Sequence, residues 1–501
     1  MAERPEPVRD LDWEPPRARA FVDGVADIYE ELLAKLPSLP VIVDEGADDV
    51  RRGVAMAVPR EPMAQDDLIG YLRHITFEHS AFPGHPRFYA YVSGAGTVPG
   101  AAADLLASGI NMNPGGWRLG PSATEIEMEL TRWFACEMFG MPQGSGGALT
   151  SGGAMANMIA LKIARDVRAG WDVRAEGVSA GPPLGFYLST ETHVVSDRGL
   201  DMLGVGAGTV RHVPVDGSFR MRVDELREAV RLDRNAGVRP VAVVANAGTV
   251  STGAVDDLAA IADVCRDEGL WLHVDAAYGG PAVLADDLRP LFAGIDRADS
   301  IAFDPHKWLY TPLPGGCVLV RDMDEMRRSF DPEYVSYIIK DEEHTDWGID
   351  LGRHSPNFSR GFWALRIWVS LLAHGRDAYA RRISHDAALA RYLGALVDER
   401  DDFELMTPVG LSITCFRYVP EGLSGGRGRE EYLDELNQRI MTEIQLGGRA
   451  FCSNAVLEGR FCLRSCIVNY RTEAGDVEAL LQIAAETGLR LDGELRPGEL
   501  R

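Results

Sequence analysis

The sequence predicts an α/β protein: a mostly parallel central sheet with helices on both faces, followed by a small C-terminal α+β domain. Three observations predict it. Between about residues 86 and 330, short apolar strands alternate with amphipathic helices, and strand–helix–strand units of that length close a parallel sheet. Beyond about residue 375 the order changes to a helix and then two apolar strands flanking a second helix, the signature of an antiparallel sheet with helices on one face. The chain is 501 residues long, 46% apolar and 25% charged, enough for one large core with appendages.

The elements follow in order. Residues 1–85 alternate proline-containing turns with amphipathic stretches, and in "ARAFVDGVADIYEELLAKL" the apolar Phe21, Val25, Ile28 and Leu32 recur at helical spacing. Such a lead-in cannot bury its stripe alone and is expected to pack on a partner subunit. The large domain is expected over 86–375. There "GALTSGGAMANMIALKIARDVRAG" is a glycine turn entering a helix. "PLGFYLSTETH" and "VRPVAVVANAGTV" are strands ending in polar turns. "VDDLAAIADVCRDEGL" is a helix with Asp in its first turn, and "WLHVDAAYGG" is the next strand. "SPNFSRGFWALRIWVSLLAHG" reads as a helix leaving that domain. The small domain, 376–501, holds "ISHDAALARYLGALVDE", "LSITCFRYV", "YLDELNQRIMTEIQLGG" and "RFCLRSCIVNY". Disorder is expected in the first dozen residues, in "EGLSGGRGREE" and in the tail "LDGELRPGELR".

Charge and cysteine usage exclude several classes. Acidic residues outnumber basic ones, 75 to 51, for a formal charge of −24. That surface repels phosphate backbones and anionic lipid heads, so neither nucleic acid nor a membrane is an expected partner. The seven cysteines form no Cys-x-x-Cys pair and sit mostly in apolar runs, which points to a reducing cytoplasm and no metal site. The charged, proline-rich start has no apolar signal core, and no apolar run approaches a membrane span.

Four features in chain order carry chemistry. A turn, Thr150-Ser151-Gly152-Gly153-Ala154, opens a helix; His193 follows a strand; Asp275 closes the strand of "HVDAAYGG"; Lys307 stands in "DPHKW". A buried lysine can form an imine with an aldehyde cofactor. Pyridoxal 5′-phosphate (PLP) also needs an acid partner at its pyridine nitrogen, and a strand-terminal Asp275 fits that need. Its phosphate needs bare N–H groups at a helix N-terminus, where Gly152, Gly153 and Ala154 permit close approach. His193 is placed to cover the ring. Each feature alone has an ordinary structural reading: a surface lysine, a tight turn, a helix-capping Asp, a satisfied histidine. Their joint order and spacing favour the cofactor.

With these motifs the chain resembles the group II PLP-dependent amino-acid decarboxylases, the aromatic L-amino-acid and glutamate decarboxylase superfamily with the type I PLP fold. The resemblance runs from "HPRFYAYVSG" through "WRLGPSATEIE", "TSGGAMANMIAL", "LWLHVDAAYGG" and "DPHKWL" to "LRSCIVNYRT". It implies a seven-stranded sheet, a homodimer with a shared active site, and an L-amino acid, expected to be aromatic, as substrate. It implies that Lys307 carries the cofactor, Asp275 pairs with the pyridine nitrogen and His193 stacks on the ring. Ala277 would pack on the ring, His306 and the Gly153-Ala154 turn would contact the phosphate, and Thr249 would belong to the cofactor pocket.

The departures concern the phosphate turn and the substrate. Gly153-Ala154-Met155 lacks the hydroxyl that many relatives carry in this turn. Tyr91 matches an aromatic position, but Val92-Ser93-Gly94 is smaller than usual, and Gly115 replaces a bulky pocket aromatic. Both glycines imply a roomier pocket. The loop tyrosine that donates a proton after CO₂ leaves aligns with Leu351, on an acidic segment expected to form a mobile lid. Tyr334, Tyr337, His344 or His354 would then have to serve, or oxygen would intervene and an aldehyde replace the amine as product. A catalytically silent scaffold is the reading from another class, and the intact Lys307, Asp275 and His193 oppose it. A transaminase would need a late carboxylate-binding arginine, for which Arg464 and Arg471 are the candidates.

Overall fold

The computed structural model describes residues 8–331, 348–426 and 428–500. Seven strands form the central sheet: β1 (Gly146–Thr150), β2 (Leu184–Ser189), β3 (Val210–Val213), β4 (Arg239–Asn246), β5 (Trp271–Asp275), β6 (Ser300–Phe303) and β7 (Gly316–Val320). Their spatial order is β1-β7-β6-β5-β4-β2-β3. The five strands from β6 to β3 are parallel, and β7 runs antiparallel to both β6 and β1. Nearly every residue of β4, β5 and β6 is buried, as expected for parallel strands covered on both faces.

A second sheet, wholly antiparallel, contains β8 (Phe403–Leu405), β9 (Ile413–Tyr418), β10 (Ser453–Leu457) and β11 (Arg460–Cys466) in the order β10-β11-β9-β8. It has its own apolar core, into which Leu436, Ile440, Leu463 and Leu480 are packed. The fold class read from the sequence is therefore the one observed.

Helices α1 (Pro15–Lys35), α2 (Ala47–Val54), α3 (Gln65–Glu78), α4 (Val98–Ile110) and α5 (Pro121–Arg132) precede the sheet. Of the predicted stripe on α1 only Ile28 is buried, and α2 and α3 bury no residue fully. Helix α6 (Gly153–Arg168) follows β1 and packs across β7, β6 and β4.

Three local expectations need correction. The helix read from residue 355 onward begins only at Ala364. The preceding segment is held by Arg360, fully buried, which pairs with the buried Glu127 of α5 and donates to Leu149 O at 3.0 Å. The ion pair ties the segment to α5 and the hydrogen bond ties it to β1, just ahead of the helix. Asp257 lies one residue outside the helix Leu258–Glu268, where its side chain accepts from Ala260 N and caps the free N-terminus. The C-terminal tail is ordered by packing: its helix runs from Ala474 to Leu495, and Leu500 is buried against the second core.

Candidate active site

The carboxyl ends of the parallel strands open onto a cavity of about 410 Å³ beside the N-terminus of α6. In open parallel sheets, polar groups gather at these strand ends because the turns there leave backbone groups free. Register sets Asn246, Asp275 and Ala302 side by side at the tips of β4, β5 and β6. Lys307 follows in the turn between β6 and β7. That turn is anchored from below: Trp308 Nε1 and Tyr310 Oη both donate to Asp386 Oδ2, at 3.0 and 2.7 Å. Burial pushes the Asp386 carboxyl up to about 6, against the pull of Arg382.

Lys307 Nζ lies 2.9 Å from Asp304 Oδ2. Asp304 is buried, and its other oxygen has no hydrogen-bond partner. Asp275 is buried too, its carboxylate accepting from Ala277 N at 3.0 Å. Burial raises its pKa, and the Ala277 N–H and Lys307 offset this only in part. A cation seated against Asp275 would supply the missing compensation, as a protonated pyridine nitrogen does.

His193 sits in the turn after β2. Asn246 Nδ2 donates to Ser189 Oγ and Thr192 Oγ1, at 3.0 and 3.1 Å, and so fixes that turn to the tip of β4. His193 Nδ1 accepts from Val195 N at 3.3 Å, which leaves the ring proton on Nε2. Burial lowers its pKa and favours the neutral ring.

The α6 turn is shaped for an anion. Gly152 has φ +154°, and a Cβ on Gly153 would stand 2.7 Å from Asp304 Oδ2 and 3.3 Å from Ala277. With no side chain admitted, the first N–H groups of a long helix face the cavity without intrahelical acceptors. His306 lines the same end, its Nδ1 2.6 Å from Gly315 O. Thr249, buried, joins Thr252 Oγ1 at 2.9 Å in the loop after β4. These donors and the buried carboxylate fit PLP.

Lys307, Asp275, His193, Gly153, Ala154, Thr249, Ala277, His306 and Tyr91 thus all border one cavity. Tyr91 is 64% exposed at its mouth, its carbonyl held by Arg464 Nη1 at 2.9 Å.

The remaining three predicted residues do not border it. A Cβ on Gly94 would lie 1.9 Å from Val468 O, and one on Gly115 would lie 1.8 Å from Phe358 O. Their small size allows backbone to approach backbone and does not widen the pocket. Leu351, fully buried, opens a packed 3₁₀ turn (Leu351–Arg353), where Gly352 N donates to Gly115 O at 3.0 Å and Arg353 pairs with Asp331. It is no part of an open lid. His354 is buried beside Asp350 O, away from the cavity. Tyr334, Tyr337 and His344 lie outside the described residues. Leu351→Tyr is therefore expected to overfill a packed site and cost about 1–3 kcal/mol, seen as a lower melting temperature with no shift in product.

Sequence reasoning missed Asp304 and Asn157 in the cavity wall, together with Ser453 and Asn454, which reach it from the second sheet. For Asp304 the signal was present: it stands one turn before Lys307. Arg464 borders the cavity and is buried, with Nη2 lacking any partner. Arg471 instead lies over the Tyr470 ring at 4.5 Å, outside the cavity.

The pyridoxal-dependent decarboxylase conserved domain matches residues 48–419. The chain belongs to the pyridoxal-dependent decarboxylase family. It is 35% identical over 460 residues to an aromatic-L-amino-acid decarboxylase of Bacillus atrophaeus, covering 91% of this chain and 92% of that one. It is 28% identical over 479 residues to a phenylacetaldehyde synthase of Arabidopsis thaliana, covering 93% and 94%. Among solved structures, the Oryza sativa TDC with PLP and tryptamine superposes with a TM-score of 0.88 at 26% identity, over 96% of this chain and 99% of that one. The chain is thus a PLP-dependent lyase. Among its described residues, no helix is long and apolar enough to cross a membrane, and no cluster of three or more His, Cys, Asp or Glu could hold a metal.

Proposed function

We propose that this enzyme decarboxylates an aromatic L-amino acid to its amine, with the cofactor carried on Lys307. The observation that carries this reading is the single cavity bordered by Lys307, Asp275, His193 and the exposed ring of Tyr91. The likeness to the Bacillus enzyme over nearly the whole of both chains supports it. Bound PLP supplies an electron sink for the pair left on the α-carbon when CO₂ departs.

The chain's own groups do the rest. Lys307 anchors the aldehyde end through its amine. Asp275 would keep the pyridine nitrogen protonated, His193 would cover the ring with its neutral imidazole, and Ala277 would pack beside it. The N–H groups of Gly153 and Ala154, with Thr249 and His306, receive the phosphate. Arg464 offers an unsatisfied N–H to a substrate carboxylate, and Tyr91 offers a ring face to an aromatic side chain.

The oxygen-dependent route to an aldehyde depended on Leu351 facing the reacting carbon. With Leu351 buried elsewhere, amine is the expected product. A panel of L-amino acids assayed together for CO₂, amine, aldehyde, peroxide and oxygen uptake tests this. Amine equal to CO₂ without oxygen uptake is expected, with aromatic substrates turned over fastest. Aldehyde with peroxide would replace the amine reading, and preference for an acidic substrate would replace the aromatic one.

The surface supports a homodimer. Val22 and Val25 of α1, with Leu105, Leu106 and Ile110 of α4, stay exposed in the single chain. A self-complementary pairing would bury them at low cost. Sedimentation should give about twice the 54.7 kDa chain mass, and a fully active monomer would refute the proposal. Seven free, buried cysteines support a reducing, cytoplasmic setting.

A further inference from the structure

Helix α6 begins on two glycines, and glycine is the residue that loses most freedom when its backbone is fixed. The turn that presents the N–H groups needs an outside support. Behind it lies a chain of buried polar groups reaching across β5 and β6. Trp271 Nε1 lies 2.7 Å from Ser300 Oγ, and Ser300 Oγ 2.9 Å from His273 Nδ1. His273 Nε2 lies 2.7 Å from Asn157 Oδ1, and Asn157 Nδ2 donates to Gly153 O at 2.9 Å. All five residues are buried.

The chemistry of the two ends fixes the direction of every bond. An indole N–H only donates and a carbonyl only accepts. Ser300 accepts from Trp271, and in a neutral ring whose Nε2 faces the Asn157 carbonyl, His273 Nδ1 is left to accept the Ser300 proton. The imidazole proton sits on Nε2 and goes to the Asn157 carbonyl, whose amide group then donates to Gly153 O. Burial pushes the His273 pKa down to about 4, so the ring is neutral, as this one-way relay requires.

From this relay we infer that His273 and Asn157 are positioning residues for the cofactor phosphate: they lock the first turn of α6 so that its N–H groups point into the cavity before PLP arrives. His273 stands two residues before Asp275 on β5, so one strand both holds the pyridine partner and braces the phosphate turn. The inference rests on placing the phosphate at the α6 turn, and the experiment separates the two.

The holoenzyme is stripped of cofactor and back-titrated with PLP and, separately, with pyridoxal, which lacks the phosphate. The visible band of bound cofactor gives each affinity, and melting temperature is recorded in parallel. The preference for PLP over pyridoxal should fall about tenfold in Asn157→Leu and in His273→Leu, with little further loss in the double variant because both act through one relay. His273→Gln, which can still donate to Asn157, should restore most of it. Should the leucine variants fail to fold, Ser300→Ala and His273→Gln carry the test: the preference must fall in the first and persist in the second. Equal losses for both ligands, tracking melting temperature, would mean a merely structural role and overturn the inference. An unchanged preference in the relay variants, alongside a reduced one in Gly153→Ala, would also overturn it while leaving the phosphate placement standing. If Gly153→Ala changes nothing either, the phosphate lies elsewhere and both fall.

Discussion

Lys307→Ala is expected to abolish covalent capture of the cofactor and to lower turnover on the order of 10³-fold or more. Lys307 is the amine in the cavity wall, one turn from Asp304 and 2.9 Å from its carboxylate. Alanine removes the nucleophile and also strands a buried carboxylate that already has one unpartnered oxygen. The cofactor would then be held without a covalent anchor, by the α6 turn, Thr249, His306, His193, Ala277 and Asp275. Treatment with borohydride should fix cofactor to the wild-type protein and none to the variant, as read by intact mass. Cofactor fixed to the Lys307→Ala protein at another lysine would overturn the assignment.

Asp275→Asn should keep PLP bound yet reduce turnover roughly 10²- to 10³-fold, because a neutral amide cannot hold the pyridine nitrogen protonated. The same variant has a stability signature of opposite sign. In the cofactor-free protein, burial raises the Asp275 pKa above its unfolded value. A carboxyl with a raised folded pKa contributes stability that is fully present below the ordinary aspartate range and is lost as pH rises through the folded value. Cofactor-free Asp275→Asn should therefore match the wild type near pH 4 and melt higher than it at about pH 7.5. With PLP bound the order should reverse at neutral pH, since the pyridinium then compensates the charge. Near-normal turnover in the variant would mean that another group protonates the ring nitrogen.

What could be read along the chain was whatever is locally encoded. Apolar runs of strand length gave β2, β4 and β5, the glycines before an amphipathic helix gave the α6 turn, and the strand-terminal Asp275 and the lysine turn followed in order. Parallel strands present their carboxyl ends to one side, so residues at those ends converge whatever lies between them. That is why Lys307, Asp275 and His193 were legible together.

Tertiary structure alone decided which residues face the cavity from farther away. Gly94, Gly115 and Leu351 look like pocket positions by alignment, but carbonyls of Val468 and Phe358 occupy the space the glycines were expected to leave open, and Leu351, expected on a lid, is locked in a packed 3₁₀ turn. Arg464 reaches the cavity because the β11–β9 register sets it opposite Cys415, and both side chains then contact Ser251 O in the loop beyond β4. The His273–Asn157 relay needs partners from α6, β5 and β6 at once. Periodicity and turn chemistry act over a few residues, so they determine the elements and what ends them. Which side chains of distant elements meet depends on packing and register, and only the folded chain settles that.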